Sequence, residues 1–136
     1  MAPDTGNVNG RSQLVLIAVL TVIFSVIVLR SAWVCDDAYI SFRTIDNFVN
    51  GYGLTWNTGE RVQAYTNPLW VFVTAAVYVF SGEFYYTSIF LSLVLSIGMV
   101  VILARKVALS VQSAALAVIV LMCSKAFMDY STSGLE

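Results

Sequence analysis

Leu14 to Val34 reads LVLIAVLTVIFSVIVLRSAWV, and only Thr21, Ser25, Arg30 and Ser31 interrupt its apolar character. A run of about 20 such residues, rising ~1.5 Å each, matches a hydrocarbon layer ~30 Å thick. This run predicts a first transmembrane helix. Arg30 stands within about one turn of its end, where a long stem can snorkel to the interface, and Trp33 is the aromatic type found there. The stretch before Cys35 fits neither signal cleavage nor lipoprotein processing, so the helix is read as an uncleaved anchor.

The whole chain agrees with that reading. Of its 136 residues 59% are hydrophobic and 11% charged, at a mean hydropathy of +0.82. That is more apolar surface than a soluble domain of this size can bury. Seven basic residues face eight acidic ones, and no zinc-finger or P-loop spacing occurs, which excludes nucleic acid and nucleotides as partners. With no histidine, acid–base or metal chemistry falls to carboxylates, Tyr, Lys or Cys. Cys35 and Cys123 lack CxxC spacing and read as small apolar residues near a membrane boundary, although a single bridge between them is left open.

Before the first helix, residues 1–13 are polar and read as a disordered cytoplasmic leader. After it comes a first extracytoplasmic loop, 35–83. Within this loop Ala38, Phe42, Ile45, Phe48 and Val49 recur at helical spacing and predict an amphipathic helix over 38–50. Gly51 and Gly53 end it, and Leu54 to Val62 reads as a turn between short extended pieces. Thr66 or Asn67 can cap the next helix, with Pro68 in its first turn. The apolar run 68–80 is short for a crossing and reads as interfacial or re-entrant. The clean run 84–104 is then the second transmembrane helix, delivering Arg105 and Lys106 to the cytoplasm as positive-inside bias prefers. A turn at 105–106 leads to a third helix, 107–127, and residues 128–136 begin a second outer loop. The fold class expected is an all-α integral membrane protein with three transmembrane helices.

Most of the chemistry-bearing residues lie in the first loop. Asp36 and Asp37 are adjacent carboxylates between a membrane helix and an amphipathic one. They suit a helix cap or a favourable charge at the helix dipole. They equally suit work at the interface: a hard divalent cation such as Mg, Mn or Ca holding a lipid phosphate, or a general base towards a sugar hydroxyl. Arg43 can face a phosphate or pair with Asp46 or Asp36. Glu60 and Arg61 can orient the loop over a sugar or be ordinary turn charges. Lys125 reads as a snorkelling residue.

The blocks DDAYISFR (36–43), GYGL (51–54), NTGERV (57–62) and YTNPLW (65–70) together resemble the first outer loop of bacterial GT-C glycosyltransferases. The likeness is to the type of the terminal arabinofuranosyltransferases of mycobacterial and corynebacterial envelopes. The resemblance implies a multi-spanning enzyme of the cytoplasmic membrane, active on its outer face. Such an enzyme passes a sugar, arabinofuranose or mannose, from a polyprenyl-phosphate donor to an envelope glycan or lipid acceptor. The family's first-loop acid falls on Asp36 or Asp37, with Asp37 preferred as base and Asp36 as its capping or metal partner. Ser133, Gly134, Leu135 and Glu136 resemble the start of the second outer loop. Glu136 is therefore a candidate second acid and metal ligand, and Tyr65, Asn67 and Trp70 are candidate substrate-binding residues. A single displacement by the acceptor hydroxyl implies inversion. Because enzymes of this type are much longer, the chain reads as an N-terminal piece, inactive alone. The alternative is a small non-catalytic membrane subunit complete at this length, which the reading frame beyond Glu136 distinguishes.

Overall fold

The computed structural model describes residues 5–60, 62–108 and 110–135, and among them every regular element is helical. In order these are α1 (Thr5–Arg30), α2 (Asp36–Val49), α3 (Pro68–Ser81), α4 (Tyr85–Ile102), a π-helical turn (Leu103–Val107), α5 (Val111–Cys123) and α6 (Lys125–Tyr130).

Two apolar cores organise them. Helices α1, α4 and α5 pack together around Phe24, Val28, Val100 and Val118, all essentially inaccessible, and Phe127 of α6 stacks on Phe24 at 5.7 Å. The second core joins the loop helices: Ile45 of α2 meets Val71 and Ala75 of α3, with Leu54, Tyr65, Tyr78 and Phe84 around them. Phe84 links α2 to α3, stacking on Phe42 at 5.1 Å and on Tyr78 at 3.7 Å.

Tyr85–Lys106 spans 22 residues and is long and apolar enough to cross a membrane. Leu14–Arg30, Pro68–Ser81 and Val111–Cys123 are shorter apolar helices. The outward faces are apolar as well: Val15, Val22 and Leu29 on α1, Phe90 and Leu95 on α4, and Leu116 and Val120 on α5 are all exposed. Large contiguous surfaces of this kind call for a partner other than water.

Several boundaries differ from the sequence reading. Residues expected as a polar leader are helical from Thr5 onward, continuous with the apolar run, while residues 1–4 lie outside the described part. The stretch read as one helix over 107–127 is divided. Ser110 opens α5 with a reciprocal capping box to Ser113, and the chain leaves helical geometry at Ser124, whose hydroxyl caps α6. Serine competes for backbone donors in this way, so it starts helices more readily than it continues them. On α2 the buried stripe is Ala38, Phe42 and Ile45 with Thr44, whereas Phe48 and Val49 are exposed. Both cysteines are free thiols.

The three-helix core yields a direct test. Phe24→Ala should cost about 3–5 kcal/mol, as expected for emptying a fully buried aromatic site. Val22→Ala, on the exposed face of the same helix, should change stability by no more than about 0.5 kcal/mol. Unfolding of the chain in detergent micelles measures both, and equal losses would contradict the packing described.

Candidate functional site

Asp36 and Asp37 occupy the first turn of α2, and both are exposed. The residue at the cap position is Cys35, in extended geometry with no side-chain cap bond, so neither aspartate is the cap. Among the described residues neither carboxylate accepts a hydrogen bond or enters an ion pair. They remain favourably placed at the positive end of the helix dipole.

What anchors this turn comes from the far end of the chain. The Cys35 amide donates to the Ser133 carbonyl at 2.8 Å, and the Trp33 amide reaches the Thr132 hydroxyl at 3.4 Å. Ser131, Thr132 and Ser133 are all buried. From the opposite side the buried indole N–H of Trp70 donates to the Gly134 carbonyl at 2.9 Å. Gly134 has φ +79°, and a Cβ there would stand 3.1 Å from both Ala38 and Val34 and 3.4 Å from the Ser88 hydroxyl. The segment Ser131–Leu135 is thus wedged between the α1–α2 joint, α3 and the start of α4. Residues 131–135 and the acidic turn at the start of α2 form one corner.

The other candidates divide by surroundings. Arg43 donates from Nε to the Trp56 carbonyl at 3.0 Å and lies over the Trp56 ring at 4.7 Å; among the described residues it pairs with neither Asp46 nor Asp36. Asn47 donates to the carbonyls of Thr55 and Trp56 at 2.8 and 3.0 Å, so α2 staples the loop to itself. Glu60 is exposed and accepts from Asn57 at 3.3 Å. Tyr65 is half-buried against the second core. Asn67 caps α3, accepting from the Trp70 amide at 3.2 Å. Trp70 is buried. Arg61 and Glu136 lie outside the described residues.

Two acids gain a setting that the sequence reading did not give them. Asp129 pairs with Lys125 one turn earlier and lines a pocket of about 170 Å³ with Trp33, Cys35, Tyr130, Ser133 and Leu135. The i,i+4 spacing of Lys125 and Asp129 was its only signal in sequence. Asp46 accepts from the Tyr78 hydroxyl at 3.1 Å, and burial together with this bond and the Asp46 charge raises the Tyr78 phenol above its ordinary 10.0.

A divalent cation needs six or more oxygens, usually from several acids. Among the described residues no three acidic or thiol groups come together to hold one.

Among the described residues the chain is all-helical, with one membrane-length helix and an acid-bearing corner beside the first turn of that helix. The chain is 31% identical over 118 residues, 76% of this chain and 18% of the relative, to the terminal β-(1→2)-arabinofuranosyltransferase of Mycobacterium tuberculosis. Over 38 residues, 28% of this chain and 6% of the relative, it is 47% identical to the protein of the same name from Corynebacterium glutamicum. These similarities relate it to the terminal arabinofuranosyltransferases. The matched stretch spans less than a fifth of the length of the curated relatives. No family model matches the chain, and no solved structure matches it.

The wedge at Gly134 sets a test by comparison with Gly82, which also has positive φ but open space around it. Ala at either position pays about 1–3 kcal/mol of backbone strain. Gly134→Ala should lose more than Gly82→Ala because the new methyl also meets Ala38 and Val34. Equal losses in thermal unfolding would place Gly134 outside the packing.

Proposed function

We propose that this chain is the N-terminal part of a membrane glycosyltransferase that moves arabinofuranose from a polyprenyl-phosphate donor to an envelope glycan or lipid acceptor. Mannose is the second choice of sugar. The observation that carries this reading is the corner itself: two exposed carboxylates on a helix N-terminus, without a partner among the described residues, braced by the segment proposed to begin the second outer loop. The relation to two arabinofuranosyltransferases supports the class of reaction.

In this reading Asp37 is the general base that takes the acceptor proton, and Asp36 shapes the field beside it. Glu136 contributes the second-loop acid. Removal of the proton makes the hydroxyl oxygen a better nucleophile towards the anomeric carbon, and polyprenyl phosphate departs with the bonding pair. Arg43 on α2 and Glu60 on the loop stapled to it, both exposed, are the groups proposed to meet the donor, and Arg61 is proposed to join them. Tyr65, Asn67 and Trp70 build the floor beneath.

The bilayer is the proposed solvent of the exposed apolar faces. Tyr85–Lys106 measures ~33 Å at ~1.5 Å per residue, the thickness of a hydrocarbon core. Gly134 packs on Ser88 near its start, and Arg105 and Lys106 stand exposed at its other end. Positive-inside bias then puts the basic pair in the cytoplasm and the acidic corner outside. Helices α1 and α5 with α6 complete three crossings, and α3, of 14 residues, stays at the outer interface.

The test is sugar transfer by membranes carrying the full-length enzyme from a radiolabelled polyprenyl-phosphate donor, for Asp36→Asn, Asp37→Asn and Glu136→Gln at matched expression. Loss beyond about a hundredfold in one Asp variant is expected for removal of a general base. Near-normal transfer by all three would sink the catalytic assignment of these carboxylates and leave them as helix-dipole partners and topology signals. The stereochemical course separates two uses of the acid: inversion fits a base in a single displacement, and retention would make the carboxylate a nucleophile.

A further inference from the structure

Trp70 is the residue through which α3 grips the corner. Its indole N–H is buried, its bond to the Gly134 carbonyl joins residues 64 apart, and its own amide is fixed by the Asn67 cap. Gly134 in turn has no spare room against Ala38 and Val34. Ala38 is the residue after Asp37, and Val34 stands two before Asp36. A shift of Gly134 therefore pushes directly on the turn that carries both acids.

We propose that Trp70 is a positioning residue: by clamping Ser131–Leu135 through Gly134 it sets where Asp36 and Asp37 stand relative to the chain that enters the second loop. This rests on the reading of those aspartates as catalytic. Among the described residues two other long-range bonds hold the segment at this point, Cys35 to Ser133 and the longer Trp33 to Thr132. Both come from the α1–α2 joint, so the indole is the clamp on the opposite side. The same indole also lines a pocket of about 240 Å³ with Ser92, Leu95, Met99 and Tyr130. A role in contacting a ligand there must be separated from a role in clamping.

A disulfide separates them. The Cys35 amide and Ser133 carbonyl are bonded at 2.8 Å, so the two residues are direct neighbours, and Ser133→Cys can tie the segment to the joint without the indole. The experiment uses the full-length enzyme with Cys123→Ala and Ser133→Cys, with and without Trp70→Phe, oxidised or reduced. In the reduced protein Trp70→Phe should lower kcat by about tenfold to a hundredfold, the range expected from a misplacement of order 1 Å. KM for the donor should stay within about twofold, the mark of an interaction that acts on the transition state and not on uniform binding. Oxidation should restore kcat towards that of the same cross-linked protein with Trp70 intact, and reduction should remove the gain. Unchanged kcat on Trp70→Phe, or a loss that the cross-link does not restore, overturns the proposal and leaves Trp70 as core packing or a ligand contact. If the reduced Trp70→Phe protein fails to fold, the oxidised form decides: an active one supports the clamp, an inactive one overturns it. Full transfer by Asp36→Asn and Asp37→Asn in the same assay would mark failure of the catalytic reading instead.

Discussion

The bond from the Trp70 indole to the Gly134 carbonyl is the interaction on which the rest of the corner depends. It is buried, it joins the third helix to the far end of the chain, and it fixes the one residue that fits between Ala38 and Val34. An indole N–H left unpaired in such a place costs about 1–3 kcal/mol. Near it stand the acidic turn, the Asn67 cap and the 170 Å³ pocket with Asp129 and Cys35. The corner is a tertiary object, built from four segments distant in sequence.

A second constraint is length. One helix, Tyr85–Lys106, sets a separation of about one hydrocarbon thickness between the corner and the basic pair. The apolar core of Phe24, Val28, Val100 and Val118 keeps α1 and α5 alongside it. The loop helices have their own core, and Phe84 at the head of α4 stacks on Phe42 of α2 and Tyr78 of α3 within it. The acids are therefore carried on a helix supported from below, not on a free loop. The surrounding turn 54–57 is held to that helix by Asn47 and Arg43.

Much of this was legible in the sequence where one physical signal acted alone. The spacing of Ala38, Phe42 and Ile45 marked the buried face of α2, and Asn67 before Pro68 marked the start of α3. Helical character throughout follows from apolar runs without strand alternation. Legibility failed where the deciding partner lay far along the chain. Phe48 and Val49 continue the stripe, yet both stay exposed at the end of the helix, Phe48 with only an edge contact to Phe72 of α3. Asp36 looks like a cap, but the cap position passes to Cys35, whose backbone is bonded to Ser133. Ser124 divides an apolar run that hydropathy alone reads as continuous. Trp70 reads as a candidate substrate contact, and its bond to Gly134, 64 residues away, leaves no mark in the sequence. The residue brought to the pocket, Asp129, carried only a helical pairing signal.

The closure of this corner is best tested by amide hydrogen exchange of the chain in lipid nanodiscs. The Cys35 amide, donated to Ser133 across the joint, should exchange far more slowly than the exposed amides of Thr58 and Gly59, because opening it requires the 131–135 segment to leave. Exchange of Cys35 as fast as that of Thr58 would show that the segment does not seal the acidic turn, and the account of a single acid-bearing corner would fall.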